Sequence, residues 1–342
     1  MSFVRFVPDD FVVSSDAVSA TAWTTGNPAL TAFYTSSTQF NGSSGDYYIN
    51  VYDTATTSST QFAITYGNAN GSGSANYNNL VNGKSPTSTI YGQYQDLVLG
   101  DENTDFIFGT ITSSQFFALS IERQCYKESI FLGSLTLNLS GSSGSISLTD
   151  NSNYVSSTLY TGGGTRVFQL ITGSAGTLSA GALNSNGYSA NSGSYGWLLP
   201  DIGTILLNPL ALADFAVSGG IGLQFSGSAT ASASPNVSPN TSLFIAISGS
   251  TGFTLNSQET ITSDFVFVRP RSSEFNYSEN PSFISGSTGE VLYSNFINNP
   301  QTYITTVGLY NDTNQLLAVA KLSRPLPKNF TKEALVRVKL DF

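Results

Sequence analysis

The segment from Thr302 to Phe342 constrains the fold of this chain more than any other part of the sequence. Residues 303–310 and 316–322 are apolar runs, and the polar residues 311–314 between them are typical turn formers. Two such runs around a short polar loop predict a β-hairpin. Pro325 and Pro327 follow, and we expect them to break the sheet because proline cannot donate a backbone hydrogen bond to a neighbouring strand.

The last residues of the chain alternate between apolar and polar side chains, as in a half-buried β-strand. One face holds Ala334, Val336, Val338, Leu340 and Phe342, and the other holds Leu335, Arg337, Lys339 and Asp341. We expect the aliphatic face to contact a core, and the face with the basic side chains to meet solvent or a neighbouring molecule.

The composition predicts a mainly β protein. Forty per cent of the 342 residues are hydrophobic, but only 10% are charged, against ~25% in typical soluble domains. Twenty-three phenylalanines and 17 tyrosines favour half-buried strands, while Ser, Thr, Asn and Gly supply polar loops. We therefore predict an antiparallel β-sandwich or β-sheet architecture with long Ser/Gly/Asn-rich loops and one or two short helices.

The chain divides into an N-terminal β lobe (1–84) and a main β domain (85–342) in our interpretation. The Ser85-Pro86 start and apolar residues at helical spacing predict a helix near 86–99 that ends at Gly100. A short helix is expected from Pro209 to Asp214. Residues 226–242 resemble a low-complexity loop, followed by a strand at 243–248. The other strand candidates are 47–53, 61–67, 106–108, 116–121, 135–139, 165–172, 203–207 and 264–269.

The charge of the chain is unevenly distributed. Residues 321–342 carry six basic and two acidic side chains, net +4, whereas the remainder carries a net charge of −13. An acidic body argues against nucleic-acid binding, which requires basic surface to neutralise phosphates. A basic end on an acidic body suits head-to-tail contact between copies or docking on an acidic neighbour. The alternative is that these Lys and Arg side chains simply form a solvated strand face.

A candidate subunit interface follows from these patterns. The apolar N-terminal residues form an arm that either adds an edge strand to this fold or reaches a neighbouring subunit. The C-terminal basic residues supply the complementary charge. The candidate interface residues are Phe3, Phe6, Phe11, Lys328, Lys332, Arg337 and Lys339.

The sequence excludes several classes of active site. No histidine is present, which excludes Ser-His-Asp triads, histidine-ligated zinc and histidine general bases. The single cysteine, Cys125, excludes an intrachain disulfide and a multi-cysteine metal site. Cys125 lies beside Arg123 and Lys127, which could activate a thiol, but a buried small residue is the preferred interpretation.

Three other motifs are interpreted as structural. Asp101, Glu102 and Asp105 could serve glycoside hydrolysis or calcium binding, but a solvated turn is favoured because calcium-loop spacing is absent. The run Gly162–Gly164 is followed by a predicted strand, so it is rejected as a phosphate loop. Trp23 and Trp197 could support a glycan-binding surface, but their apolar surroundings favour core packing. We therefore predict no catalytic, cofactor or metal site.

We expect neither a signal peptide nor a membrane-spanning segment in this sequence. The start, MSFVRFVPDDFVV, lacks the basic and apolar regions of a signal peptide, so none is expected. No apolar run approaches the ~18 residues of a membrane span.

Several segments resemble virion structural proteins of marine contractile-tailed bacteriophages. They are KSPTSTIYGQYQDLVLGDENTDFIFG, IERQCYKESIFLGSLTLNLSG with ISLTDNS, SGSYGWLLPDIGTILLNP, FVFVRPRSSEFNYSENPSFIS and the C-terminal stretch. The hairpin VGLYNDTNQLLAVAKL is similar to one in tail and fibre-associated phage proteins. The resemblance covers about residues 42–342 and includes no catalytic signature.

This resemblance implies a non-enzymatic, multicopy component of a tail or baseplate, assembled in the host cytoplasm. Its implied partners are other virion proteins and copies of itself, without nucleic acid, membrane or small-molecule ligand. The alternatives are a receptor- or glycan-binding tail-fibre module, a head or neck decoration protein, and a depolymerase that uses carboxylates.

Overall fold

The computed structural model describes residues 4–35, 48–54, 59–71, 86–179, 193–213, 219–223 and 239–341. It is mainly β, with 45% strand, 17% helix and large antiparallel sheets, which confirms the predicted fold class. The chain forms two compact units: a terminal unit, Met1–Ala17 with Thr260–Phe342, and a central unit, Val18–Glu259.

The strands of the described residues are numerous and range from two to 13 residues. They are β1 (Phe11–Thr21), β2 (Ala29–Leu30), β3 (Tyr34–Thr35), β4 (Tyr48–Tyr52), β5 (Thr60–Asn68), β6 (Phe106–Phe108), β7 (Ile111–Ser113), β8 (Gln115–Ile121), β9 (Ser129–Ile130), β10 (Thr136–Gly141), β11 (Gly144–Asp150), β12 (Leu159–Tyr160), β13 (Arg166–Ser174), β14 (Thr177–Leu178), β15 (Gly196–Leu199), β16 (Thr204–Leu207), β17 (Phe253–Thr254), β18 (Asn256–Val268), β19 (Thr302–Tyr310), β20 (Leu316–Lys328) and β21 (Val336–Asp341). Apart from 243–248, the strand candidates of the sequence analysis overlap strands of this set.

Thirteen antiparallel strands of the described residues form one sheet in the central unit. Its strand order is β2-β17-β10-β11-β13-β15-β16-β8-β5-β4-β3, and β12 and β14 pair with β13. The middle of strand β8 is nearly all apolar because both of its faces are buried. Phe117 and Leu119 enter one buried cluster, while Phe116 and Ala118 enter a second. Because successive side chains of a strand point to opposite faces, both faces of the sheet are covered here.

Four α-helices lie in the described residues: α1 (Pro86–Tyr94), α2 (Pro209–Ala213), α3 (Pro239–Ser248) and α4 (Ser294–Asn298). The predicted helix near 86–99 is confirmed as α1, and a π-helical turn, Gln95–Leu99, extends it. Gly100 ends this helix with φ 70°, as expected of a left-handed cap. The helix predicted from Pro209 is α2, although Asp214 lies outside the described residues.

The predicted strand at 243–248 is wrong, because these residues belong to helix α3. Leu243, Ala246 and Ile247 are buried at helical spacing, whereas Ile245 is exposed. The segment is apolar at almost every position, so its periodicity does not distinguish a strand from a helix. Most of the predicted loop 226–242 lies outside the described residues, but its last residues begin α3.

The terminal unit contains the hairpin and the final strand that the sequence predicts. β19 and β20 form a two-stranded antiparallel sheet, and β21 pairs with β18 so that Val338 lies opposite Val266. Val338 is buried, Val336 and Leu340 are half-buried, and Arg337 and Lys339 are exposed. This pattern confirms the predicted alternation of β21.

The prediction that Pro325 and Pro327 break the sheet is wrong, because β20 continues through both prolines to Lys328. The pairing register shifts between Ile304 and Thr306, which pair with Leu326 and Lys321 respectively, so Pro325 lies in an unpaired bulge. β20 has only one strand neighbour among the described residues, and proline is tolerated on such an edge strand.

The predicted division at residue 84 does not coincide with the two observed units. Strands β4 and β5 precede this position, yet β5 pairs along its length with β8, for example Ile64 with Leu119. At the N-terminus, β1 lies beside β18, so the edge-strand alternative for this arm is the one observed. Both arrangements depend on pairing between residues that are distant in the sequence.

Candidate interaction surface of the terminal unit

The inner face of the β19–β20 hairpin packs on a small hydrophobic cluster. Leu309 lies opposite Ala318 and Val307 lies opposite Ala320. Val307, Ala318 and Ala320 pack against a cluster whose buried members are Leu309, Val266 and Val338. Three buried side chains are a small core, because a unit of this size normally depends on many such contacts.

The outer face of the same hairpin is also apolar. It is formed by four exposed side chains, named here the hairpin face: Tyr310 (38% exposed), Leu316 (52%), Leu317 (68%) and Val319 (57%). A bulge between Leu309 and Tyr310 makes Tyr310 the partner of Leu316. Contiguous exposed apolar side chains of this kind mark interaction sites in soluble proteins.

Side-chain hydrogen bonds fix the turn that connects the two strands. The Asn311 side-chain oxygen accepts from the backbone N–H groups of Thr313 (3.1 Å) and Gln315 (2.7 Å). The Asn311 backbone N–H donates to the Gln315 carbonyl at 3.0 Å. Asn314 adopts a left-handed φ of 59°, which asparagine tolerates. The turn therefore holds the hairpin face in a defined geometry.

A second group of exposed apolar side chains surrounds helix α4. Leu292, Tyr293 and Ile297 are each at least half exposed. The aromatic rings beneath them contact one another, with Phe283 and Phe296 centroids 5.5 Å apart. Most of the exposed large apolar side chains among the described residues belong to the terminal unit, although it contains less than a third of the chain.

The predicted N-terminal interface residues differ in their surroundings. Phe3 lies outside the described residues. Phe6 is half-buried against the cluster of the terminal unit and meets the ring of Phe11 edge to face, with centroids 5.3 Å apart. Phe11 is exposed. Phe6 therefore contributes to the fold of this chain, and Phe11 remains available to a neighbour.

The basic residues of β21 surround one aromatic ring. The Arg337 guanidinium lies 5.4 Å and the Lys339 ammonium 6.0 Å from the centroid of Phe265. Lys339 also pairs with Asp341 at 2.8 Å, and both of these side chains are about half exposed. Lys332 is exposed on the segment before β21. Arg337 and Lys339 on β21 and Lys332 shortly before it are therefore exposed basic side chains, named here the basic edge.

Lys328 is not part of this edge, which corrects its placement in the candidate interface. It is fully buried at the end of β20, and its ammonium donates to Asn276 and to two backbone carbonyls. Nothing in the sequence indicates this burial, since lysine is almost always exposed. The hairpin face was likewise missed as a surface, although the apolar run at 316–319 breaks the alternation of a half-buried strand and could have indicated it.

The surroundings of Cys125 and Asp101 indicate structural roles for both side chains. Cys125 is buried, and burial, with the nearby Glu122, raises the pKa of its thiol to about 11, so it is not activated. The Asp101 carboxylate accepts from the Asn103 backbone N–H and the Thr104 hydroxyl, both at 2.9 Å. These hydrogen bonds, led by that of Asn103, lower the pKa of Asp101 and close a turn.

Both tryptophans are buried, which confirms their predicted place in the core. Trp23 donates from Nε1 to the Phe253 carbonyl at 2.9 Å and belongs to the larger cluster of the central unit. Trp197 belongs to the second cluster, with its ring 5.2 Å from that of Phe108. Neither ring is available as a glycan platform.

The glycine run 162–164 packs against the backbone of the π-helical turn. The Gly163 N–H donates to the Val98 carbonyl at 3.0 Å, and a Cβ on Gly162 would overlap the Leu99 carbonyl oxygen. The glycines therefore permit close approach of two backbone segments, and strand β13 follows them.

We expect Gly162→Ala to destabilise the protein by about 1–3 kcal/mol, because backbone atoms cannot yield to the added methyl group. Urea unfolding followed by circular dichroism measures the change. Gly92→Ala is the matched control: a Cβ there meets open space within helix α1, where alanine is the better helix former. Equal stability of the Gly162 variant and the wild type would contradict this packing.

Two further observations concern the described part of the chain. No cluster of three or more cysteine, aspartate or glutamate side chains in it could hold a metal ion. None of its helices combines the length and hydropathy needed to span a membrane.

Comparisons with known proteins add no family assignment. No protein-family model, curated protein or solved structure matches this chain.

Proposed function

We propose that this protein is a non-enzymatic structural subunit of a bacteriophage particle, located in the tail or baseplate. It assembles with copies of itself and with other particle proteins. The sequence resemblance motivates the phage assignment. The observation that carries the assembly role is the hairpin face, an apolar surface on a unit whose own core is small.

Burial of the hairpin face by a neighbour would stabilise an association. Fully burying one large aliphatic side chain stabilises an association by about 1.5–3 kcal/mol. Leu316, Leu317 and Val319, each more than half exposed, leave much of that free energy unused in the isolated chain. A neighbour that covers this face would supply the apolar contacts that the terminal unit lacks.

The charge distribution supports copies of the same chain as one neighbour. The central unit has 12 acidic and four basic side chains, net −8, whereas the terminal unit has ten acidic and nine basic side chains, net −1. The basic edge of Lys332, Arg337 and Lys339 would be attracted to the acidic central unit of another copy. Such attraction between exposed charges weakens as salt increases.

The test is the composition of purified phage particles. We expect mass spectrometry of gradient-purified virions to detect peptides of this protein, and to find them with the tails after the heads are removed. Peptides recovered only with DNA-filled heads would move the assignment to a decoration protein. Their absence from virions, while the gene is expressed, would reject the proposal.

A glycan- or receptor-binding fibre module is the second candidate. Tyr154, Leu159 and Tyr160 of the central unit are exposed, and exposed aromatic rings of this kind can stack on sugars. Binding of the recombinant protein to host cells or a glycan array, lost in Tyr160→Ala, would favour this candidate. Normal binding by that variant would exclude this surface as the receptor site.

A further inference from the structure

Lys328 lies in an unusual environment for a lysine. Its side chain is fully buried, and its Nζ donates to the Ser272 carbonyl (3.0 Å), the Asn276 side-chain oxygen (2.9 Å) and the Asn329 carbonyl (3.1 Å). All three acceptors are neutral, and the ion pairs of the described residues do not include Lys328. Three donated hydrogen bonds require the protonated amine, and burial without a paired carboxylate makes that charged form costly.

The pKa of Lys328 follows this expectation. Burial lowers it, and the negative charges of Glu274 and Glu333 oppose the shift in part. A lowered pKa makes it easier for the ammonium group to lose one proton, and the nitrogen then carries a free electron pair and is a nucleophile.

The side chain of Asn276, which accepts from this amine, is also held in place by hydrogen bonds. Asn276 is buried, and its Nδ2 donates to the Ser272 carbonyl at 2.7 Å. The preceding residue, Phe275, has a φ of 52°, a strained conformation for a bulky side chain. Its carbonyl accepts from the Thr302 hydroxyl at 2.6 Å, which helps to maintain that conformation. Backbone strain of this kind is concentrated at functional sites.

We propose that Lys328 and Asn276 form an intramolecular isopeptide bond. The Lys328 nitrogen attacks the carboxamide carbon of Asn276, the new C–N bond forms, and the bond from this carbon to Nδ2 breaks. A proton passes from the lysine nitrogen to the departing nitrogen, which leaves as ammonia. No oxidant, reductant or further reactant is needed. The carbon is one C=O bond, ~1.2 Å, beyond the oxygen that Nζ already contacts.

The position of the bond suits the fold of the terminal unit. It would join residues 52 apart in sequence, linking the end of β20 to the segment after β18. Covalent links of this length restrict the unfolded chain and so stabilise the folded one. The terminal unit has a small core, and the only cysteine of the chain lies in the central unit, so no disulfide can play this part. The proposal goes beyond the assembly role and does not depend on it.

Intact-mass spectrometry of the denatured full-length protein tests the bond. We expect the wild type to be lighter than its sequence mass by one ammonia. A succinimide at Asn276 would cause the same loss, so fragmentation must also identify a branched peptide that joins Asn276 to Lys328. Because a denatured sample suffices, the result does not depend on the stability of any variant.

Three variants test whether the loss of ammonia depends on Lys328 and Asn276. Lys328→Met and Asn276→Ala should each have the mass of their sequence, since either change removes one partner. Lys332→Met changes an exposed lysine nearby and should retain the loss of ammonia and the branched peptide. A wild type at its full sequence mass, or an ammonia loss without the branched peptide, would overturn the proposal and leave Lys328 as a buried hydrogen-bond donor only.

Discussion

Val338→Asp is expected to unfold the terminal unit. Val338 is one of three buried side chains in its cluster and lies opposite Val266. Replacing it removes an apolar contact and buries a carboxylate without a partner, for a combined loss of at least ~3 kcal/mol. Hydrogen exchange read by mass spectrometry should show lost protection at 260–341, while the strands of the central unit retain theirs. Particles made with this variant should lack the protein.

The matched control changes the opposite face of the same strand. Arg337→Gln with Lys339→Gln removes two exposed charges beside Phe265 and should leave the melting temperature nearly unchanged, because exposed charges contribute little to folding. If the basic edge docks on an acidic neighbour, this variant should still incorporate poorly. Normal protection of residues 260–341 in Val338→Asp would show that the cluster does not hold the unit together.

Leu317→Glu with Val319→Glu is expected to abolish assembly while the chain remains folded. Both side chains are more than half exposed on the hairpin face, so the isolated chain loses little by the change. If a neighbour buries them, two aliphatic contacts of ~1.5 kcal/mol each are lost, which weakens association on the order of a hundredfold. Sedimentation velocity over a range of concentrations measures self-association, and incorporation into particles measures docking on other proteins.

The control for this experiment lies on the central unit. Leu159 and Tyr160 form β12 and are 57% and 65% exposed, comparable with Leu317 and Val319. Leu159→Glu with Tyr160→Glu makes the same chemical change elsewhere and should leave assembly intact. Wild-type assembly of the hairpin-face variant would remove this face from the interface. Equal loss in both double variants would indicate a general effect of added charge.

Local patterns were sufficient for much of the β structure. The hairpin of β19 and β20, the alternation of β21 and the helix that ends at Gly100 all follow from residues close together in sequence. Each depends on turn chemistry, on a period of two or on a helix cap, and these act within a few residues. The exclusion of histidine-based sites and of an intrachain disulfide needs only the residue counts.

Where local patterns are ambiguous, or where contacts between distant residues override them, those tertiary contacts determine the secondary structure. The apolar residues of α3 suit either a strand or a helix, and packing on the core selects the helix. Pro325 and Pro327 are accommodated because β20 has an unpaired edge and a bulge, features that depend on its neighbours. The grouping of residues 1–17 with residues 260–342 requires contacts between the two ends of the chain.

The candidate sites show the same distinction between features that follow from the sequence and features that follow from tertiary contacts. The clustering of basic residues near the C-terminus and the apolar character of the hairpin strands can be read from the residue order alone. The burial of Lys328 beside Asn276, and the exposure of Arg337 and Lys339, become visible only in the folded chain. The physical reason is that burial and the meeting of reactive groups depend on residues brought together from distant positions, and a single sequence records the residue types without those contacts.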